Sequence, residues 1–242
     1  MVILGGGESG VGAAILAKKQ GYEVFLSDGG ALKDIYRSDL QKQEIPFEEA
    51  GHSTSRVLEA DEVMKSPGIP DKAPLVKEIR AKGIPVISEI ELAYRYKGDS
   101  RIIGITGSNG KSTTTALTWH ICRHGGLDCA LVGNIGYSIA RQMAEDPKQW
   151  YVCEISSFQL DDIQTFRPEI AILTNITEDH LDRYDYKFEN YKGSPSDSNT
   201  FTDEDNIKVI SGSNIKSNSM EFDYNNKDYK LEPDNQSKVY IF

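Results

Sequence analysis

Short apolar runs alternate with longer amphipathic stretches along the first hundred residues. Residues 2–4, 24–27, 62–65 and 85–88 read as strands, with helices over 10–20 and 73–82 between them. Strands separated by helices imply a parallel sheet covered by those helices. A polar stretch, Tyr96-Lys-Gly-Asp-Ser100, interrupts the pattern, which resumes with a strand at 101–106 and a helix from 112 to about 123. Strands at 129–132, 151–155 and 170–175, with helices over 138–145 and 160–166, complete a second doubly wound unit. The expected fold is α/β, with one domain over residues 1–98 and a second over 99–242, both with mainly parallel sheets.

The pattern changes at residue 193. Gly193-Ser-Pro-Ser-Asp-Ser-Asn-Thr200 is polar and turn-rich, and the remaining residues carry only short apolar bursts, which suits either a hairpin-rich edge or a partly ordered tail. No fixed-period repeat or heptad is present, so solenoid and coiled-coil folds drop out.

Composition narrows the function. A formal net charge of -10 and a pI near 5.0 argue against a general nucleic-acid or anionic-membrane binder, both of which need a basic field. A small anionic ligand needs only local cations. No apolar stretch approaches the roughly 18 residues that span a bilayer, and the opening Met-Val-Ile-Leu lacks the basic flank of an export signal. Cys122, Cys129 and Cys153 are odd in number, without metal-type spacing, and sit in apolar runs. They suit buried free thiols in a reducing, cytoplasmic compartment. The chain is expected to act as a monomer.

The most informative segment is Thr106-Gly-Ser-Asn-Gly-Lys-Ser-Thr113, between an apolar strand and a helix. Such a loop gathers backbone N–H groups and a helix N-terminus around one point, which binds phosphate. Gly107, Ser108, Asn109, Gly110, Lys111, Ser112 and Thr113 would line the nucleotide phosphates. Lys111 would neutralise the terminal phosphates, and the Ser112 hydroxyl would ligate Mg²⁺. Ile105 departs from the general pattern, standing where a first glycine is expected.

Two further segments reach the same expected sheet edge. Glu154 closes an apolar strand in Trp150-Tyr-Val-Cys-Glu-Ile-Ser-Ser-Phe-Gln-Leu160, where a carboxylate can complete a Mg²⁺ shell opened by Ser112. The loop Ile176-Thr-Glu-Asp-His-Leu-Asp-Arg-Tyr184 makes His180 the best further metal or acid–base candidate. His52, His120 and His124 read as structural. At the start of the chain, Gly5, Gly7 and Gly10 satisfy G-x-G-x-x-G, and Asp28 follows the second strand where a ribose-binding acid would stand. Alone, that segment suggests an NAD-dependent dehydrogenase, which would leave Lys111, Glu154 and His180 without a joint task.

The phosphate loop, Gly133-Asn-Ile-Gly136, Glu154-Ile-Ser-Ser-Phe-Gln-Leu160 and Asn175-Ile-Thr-Glu-Asp-His-Leu-Asp-Arg-Tyr184 together resemble the Mur ligases, over about residues 2–191. The resemblance implies a Rossmann-like substrate domain followed by a P-loop-type ATPase domain. It further implies an ATP-dependent, amide-forming enzyme of peptidoglycan precursor synthesis. ATP would phosphorylate a substrate carboxyl to an acyl phosphate, which an amine then attacks. Ser156-Ser-Phe-Gln-Leu160 and His180-Leu-Asp-Arg-Tyr184 look most like the D-glutamate-adding branch, whose partners are UDP-N-acetylmuramoyl-L-alanine and D-glutamate.

Carried over residue by residue, the resemblance gives Lys111, Glu154 and His180 catalytic roles, with Ser112, Glu154 and His180 on Mg²⁺. Asn134, Ser156 and Gln159 would lie along the muramoyl-peptide path. Gly7, Glu8, Ser9 and Asp28 would serve the uridine diphosphate end, and Ser66, Pro67 and Gly68 the diphosphate neighbourhood. Gly29 and Gly30 stand where many members have polar uracil contacts. Pro195 stands where the family carries a lysine, carbamylated in the active enzyme, that helps hold a second metal. The family's third domain is also expected to be missing here, and a complete ligase would need about 100 to 200 further residues. A nucleotide-binding fragment without turnover is therefore the other reading.

Overall fold

A computed structural model describes residues 1–175, Thr177 and the backbone of three short strands between 220 and 241. Five strands, β1 Val2–Leu4, β2 Phe25–Ser27, β3 Phe47–Glu48, β4 Val63–Lys65 and β5 Val86–Ile87, form a parallel sheet in the order β3-β2-β1-β4-β5. Every residue of β1, β2 and β4 is buried, because helices cover both faces. The connecting helices are α1 Glu8–Lys19, α2 Asp34–Lys42, α3 Thr54–Val57 and α4 Pro74–Ala81.

After α5 Glu89–Arg95 comes a second sheet of β6 Arg101–Thr106, β7 Cys129–Gly133, β8 Trp150–Glu154 and β9 Ile170–Leu173. These four run parallel in the order β9-β6-β8-β7. Helices α6 Lys111–His124, α7 Ile139–Glu145 and α8 Ser157–Leu160 connect them. Strands β10 Met220–Tyr224 and β11 Lys227–Leu231 form an antiparallel hairpin, and β12 Tyr240–Ile241 pairs antiparallel with β9. Among the described residues, no helix is long and apolar enough to cross a membrane.

Helix α1 is buried at every position from Gly10 to Ala17, because it is enclosed on opposite sides by the first sheet and by α7. The second contact depends on Gly12, where a Cβ would lie 2.0 Å from Ser138 Oγ. Polar groups then satisfy the first turn of α7. Glu8 Oε1 accepts from Ser138 N–H at 3.2 Å, Glu89 Oε1 from Ala140 N–H at 2.7 Å, and Ser138 Oγ from Arg141 N–H at 3.1 Å. The Arg141 guanidinium, nearly buried, pairs with Glu8 and Asp39 at 3.0 Å each.

Periodicity misses α2, α3, β3 and α5. Leu40 is the only buried residue of α2, so that helix shows no apolar stripe. The strand expected to reach Ser88 ends at Ile87, because the Ser88 hydroxyl caps α5 by accepting from Glu91 N–H. The helix expected over 160–166 is corrected: α8 covers Ser157–Leu160, and the chain then turns. Glu91 is the reason. Its Oε2 accepts from Gln164, Thr165 and Phe166 N–H, each at 2.9 Å, so those amides are not available to helical carbonyls.

Glu89 supplies a pH-dependent prediction. It is 1% exposed, one of its oxygens has no partner, and burial pushes its carboxyl from 4.5 up to about 7, with nearby Glu8 adding to the rise and the Ala140 N–H opposing it. A carboxyl raised in the folded state contributes stability that is complete below its unfolded value and lost as pH rises through about 7. The change is on the order of 3 kcal/mol. Glu89→Gln should therefore match the parent in thermal unfolding near pH 5 and exceed it near pH 8. Parallel pH profiles for the two proteins would refute this.

Candidate phosphate-binding site

The second sheet brings the loop after β6 and Glu154 to one edge. Ile105 lies across the β6–β8 ladder from Glu154, so the loop after β6 and the carboxylate closing β8 share the C-terminal end of the sheet. Ile105 itself is fully buried, which explains why this position carries a core side chain rather than a loop glycine. Gly110 caps α6 with φ +83°, a left-handed conformation that glycine adopts readily, and a Cβ there would meet open space. Gly107 serves a different end: a Cβ would lie 2.2 Å from Thr174 Oγ1, so its bareness lets the loop approach the end of β9.

That approach is heavily hydrogen-bonded. Ser108 N–H donates to Asn175 O at 2.9 Å, and Asn109 N–H donates to Asn175 Oδ1 at 3.0 Å. Thr174 Oγ1 and Asn175 Nδ2 donate to Asn109 O at 2.6 and 2.8 Å. Ser108 Oγ donates to Thr177 O at 2.8 Å and accepts from Thr177 N–H at 2.9 Å. Thr174, Asn175 and Thr177 thus hold the loop in shape. The sequence motif contains Asn175 and Thr177 without marking this task, although polar residues ending an otherwise apolar strand were the available signal.

Lys111 Nζ donates to Gly107 O at 2.7 Å and Ser108 O at 2.9 Å, which holds the cation over the loop. Ser112 and Thr113 are exposed in the first turn of α6. Glu154 is 1% exposed, and Asn134 Nδ2 donates to its Oε1 at 2.8 Å, while its Oε2 is buried without a hydrogen-bond partner. A buried carboxylate oxygen left unpaired is costly, and a hard cation answers that cost. The Glu154 oxygens and the Ser112 hydroxyl are hard donors of the kind Mg²⁺ takes, and they are the residues that would hold it. Gly133, at φ +103°, allows the Asn134 loop to close on β8, since a Cβ there would lie 2.2 Å from Glu154 O. Among the described residues, no three His, Cys, Asp or Glu side chains gather into a metal cluster. His180 and Pro195 lie outside the described residues.

Ser156 and Gln159 bond chiefly to each other. Gln159 Oε1 accepts from Ser156 N–H at 2.9 Å and from Ser156 Oγ at 3.1 Å, and the first of these together with Gln159 N–H donating to the Ser156 side chain makes the capping box of α8. Cys153 is buried and Cys122 and Cys129 are half-buried, and burial pushes all three thiols up, as expected of unreactive sulfurs.

The glycine-rich start lies at the matching edge of the first sheet. A Cβ on Gly10 would lie 1.8 Å from Gly5 O, and one on Gly5 would lie 2.7 Å from Ser66 Oγ. These glycines pack the helix and the Ser66 loop against the turn after β1, with Pro67 and Gly68 following in that loop. Gly7 is exposed at the N-cap of α1 with open space beyond it, and Ser9 is half-buried in the first turn. Two of these residues carry protein contacts as well. Glu8 Oε1 meets Ser138 N–H and Arg141, because α7 presents an amide and a cation there. Asp28 accepts from Gly6 N–H at 2.5 Å and Gly30 N–H at 2.7 Å, one bond to each oxygen, and so ties two loops together.

Two mainly parallel sheets, one edge bearing a glycine-rich turn and the other a P-loop-type turn beside a buried carboxylate, define an α/β protein of the P-loop kind. The chain belongs to the Mur ligase family: residues 105–232 match the Mur ligase middle domain, and residues 1–74 match the MurD N-terminal domain.

Curated relatives include the UDP-N-acetylmuramoylalanine--D-glutamate ligases of Christiangramia forsetii, 58% identical over 194 residues, and Bacteroides fragilis, 54% identical over 191. The matches cover 80% and 79% of this chain, which spans 43% of each relative. Two solved structures share the fold. UDP-N-acetylmuramate:L-alanyl-gamma-D-glutamyl-meso-diaminopimelate ligase from Neisseria meningitides has a TM-score of 0.53 at 24% identity, covering 76% of this chain and 62% of that one. UDP-N-acetylmuramate-alanine ligase from Thermotoga maritima has a TM-score of 0.52 at 22% identity, covering 80% and 45%.

Proposed function

We propose that this chain is the substrate-binding and ATP-binding portion of a ligase that adds D-glutamate to UDP-N-acetylmuramoyl-L-alanine. The observation that carries this reading is the buried, unpartnered oxygen of Glu154 at the edge that bears the Thr106–Thr113 loop. The loop amides and Lys111 bind the nucleotide phosphates and neutralise the charge that builds up as the terminal phosphoryl group moves to the substrate carboxyl. Ser112 and Glu154 would hold Mg²⁺, which would supply further charge neutralisation at the same phosphates. Asn134 orients Glu154, and the capping box of Ser156 and Gln159 holds the backbone that leads away from it. The amine of D-glutamate then attacks the acyl phosphate, releasing phosphate and forming the amide. His180 is the proposed further metal ligand.

Residues 1–98 form the uridine diphosphate side and residues 99–242 the ATP side in this reading. The first sheet takes the nucleotide-sugar end, and the covalent length of the substrate carries its carboxyl to the second sheet. A nicotinamide dinucleotide in the first sheet would leave the phosphate loop and Glu154 without a shared reaction.

The intact gene product should release phosphate only when both UDP-N-acetylmuramoyl-L-alanine and D-glutamate accompany MgATP. Equal release with L-alanine in place of D-glutamate would sink the branch assignment. Calorimetry on the present chain should show MgATP binding that Glu154→Ala weakens about ten-fold or more, the loss of one charged ligand. Unchanged affinity would remove Glu154 from the metal site.

A further inference from the structure

We infer that His120 and His124, one turn apart on α6, form a two-histidine chelate for a borderline divalent transition metal, Ni²⁺, Cu²⁺ or Zn²⁺, that clips the last turn of the helix. The pair lies at the end of α6 opposite Lys111 and Ser112. It is independent of which carboxyl and amine the protein joins.

Side chains four residues apart on a helix stand one above the other on the same face. Two histidines at that spacing can share one metal ion. The rings of His120 and His124 lie with centroids 3.9 Å apart and planes inclined by 36°. Both residues are exposed, so a hydrated ion reaches them without disturbing the core. Bonds of about 2.0–2.1 Å from an ion to each ring require the rings to spread somewhat, and rotation of exposed side chains supplies that movement. His124 is already oriented. Its Nδ1 lies 2.9 Å from His120 O, and a carbonyl only accepts, so Nδ1 donates and Nε2 is the nitrogen directed to a metal. Backbone carbonyls commonly hold metal-binding histidines in this way. Binding displaces whatever proton Nε2 carries.

The donors select the metal. Imidazole nitrogens completed by water suit Ni²⁺, Cu²⁺ and Zn²⁺, whereas Mg²⁺ prefers oxygen, so the pair does not compete with Ser112 and Glu154 for it. The position on the helix adds to this, because a cation in the last turn meets the negative end of the helix dipole. Arg123, the adjacent basic residue, carries its guanidinium over the Trp119 ring, 5.2 Å from the centroid, on the neighbouring row of the helix. Packing leaves a task for such a clip. Thr115 is the one buried residue of the 14 in α6, and toward the helix end Trp119 and Cys122 meet the sheet from partly buried positions. An ion joining 120 to 124 fixes a turn that tertiary contacts hold lightly.

The test is calorimetry with NiCl₂ in excess Mg²⁺ on this chain, His120→Ala and His124→Ala, together with hydrogen exchange of the α6 amides. The parent should bind one Ni²⁺ at least ten-fold more tightly than either variant, since each substitution removes one of two ligands and with it the chelate. Ni²⁺ should also slow amide exchange across residues 121–125 in the parent and leave the variants unchanged. The parent's exchange response is read on unaltered protein, so misfolding of a variant cannot mimic it. Equal Ni²⁺ affinity in all three proteins would overturn the site, and tight binding at the pair with no slowing at the end of α6 would overturn the clip.

Discussion

Lys111→Met should lower the affinity of this chain for MgATP at least ten-fold and cut phosphate release by the intact ligase a hundred-fold or more. The side chain is held across the loop carbonyls of Gly107 and Ser108, so it stands ready over the phosphate position. Methionine keeps much of the length of the stem and removes the cation. The loss is larger in turnover than in binding because charge on the moving phosphoryl group grows toward the transition state. One preorganised donor at such a site is worth about a hundred- to a thousand-fold in rate. Lys111→Arg should recover little, since a planar guanidinium cannot reproduce both carbonyl contacts of an ammonium in the same space. Calorimetry and a phosphate-release assay measure the two effects separately. A variant that lost binding but kept full phosphate release at saturating MgATP would place Lys111 in ground-state binding alone.

Lys65→Met should destabilise the fold by about 3 kcal/mol, the lower end of what removing one partner of a buried ion pair costs. Lys65 ends β4, and it and the Asp162 side chain are each 3% exposed, with Nζ 3.0 Å from Asp162 Oδ2. Lys65 also donates to Ile69 O at 3.1 Å, closing the turn that contains Ser66 and Gly68. Asp162 lies two residues beyond α8, and its carbonyl accepts from Ser88 N–H at 2.9 Å. One buried cation therefore joins the loop beside the glycine-rich turn to the segment after the acidic strand. Arg80 still reaches Asp162 at 2.5 Å, which keeps the loss at the lower end of the range. The double variant Lys65→Met, Asp162→Leu should recover most of the loss, because it leaves no unpaired charge buried. Chemical denaturation of the four proteins of that cycle measures the coupling, and additive losses would show that the pair acts as two independent residues.

The phosphate loop was legible because its chemistry is local. A strand, two glycines, a lysine and a helix come one after another around Thr106–Thr113, and backbone geometry turns that order into a phosphate cradle without help from the rest of the chain. The long parallel strands were legible for a similar reason: β6, β8 and β9 are buried on both faces and so read as continuous apolar runs. The short elements were not. Helix α2 shows one buried residue, and β3 is two residues long, so neither leaves a periodic trace. The misplaced helix at 160–166 carried acceptable helix residues. A carboxylate more than seventy positions earlier, Glu91, decided against it by taking three of its amides.

Sequence alone determined the α/β alternation, the phosphate loop and the set of motifs that resemble the Mur ligases, all properties of residues close together in the chain. Tertiary structure decided what several of those residues do. It paired Glu8 with Arg141, and it joined Asp28 to the amides of Gly6 and Gly30. It gave the bareness of Gly107 to Thr174 and brought His52 into the space beside Gly29. Apart from the bond to Gly30, each of these outcomes depends on a partner from another element of the fold. Which distant groups meet is set by strand order and helix packing, and a linear pattern of hydrophobic and polar positions carries no record of either.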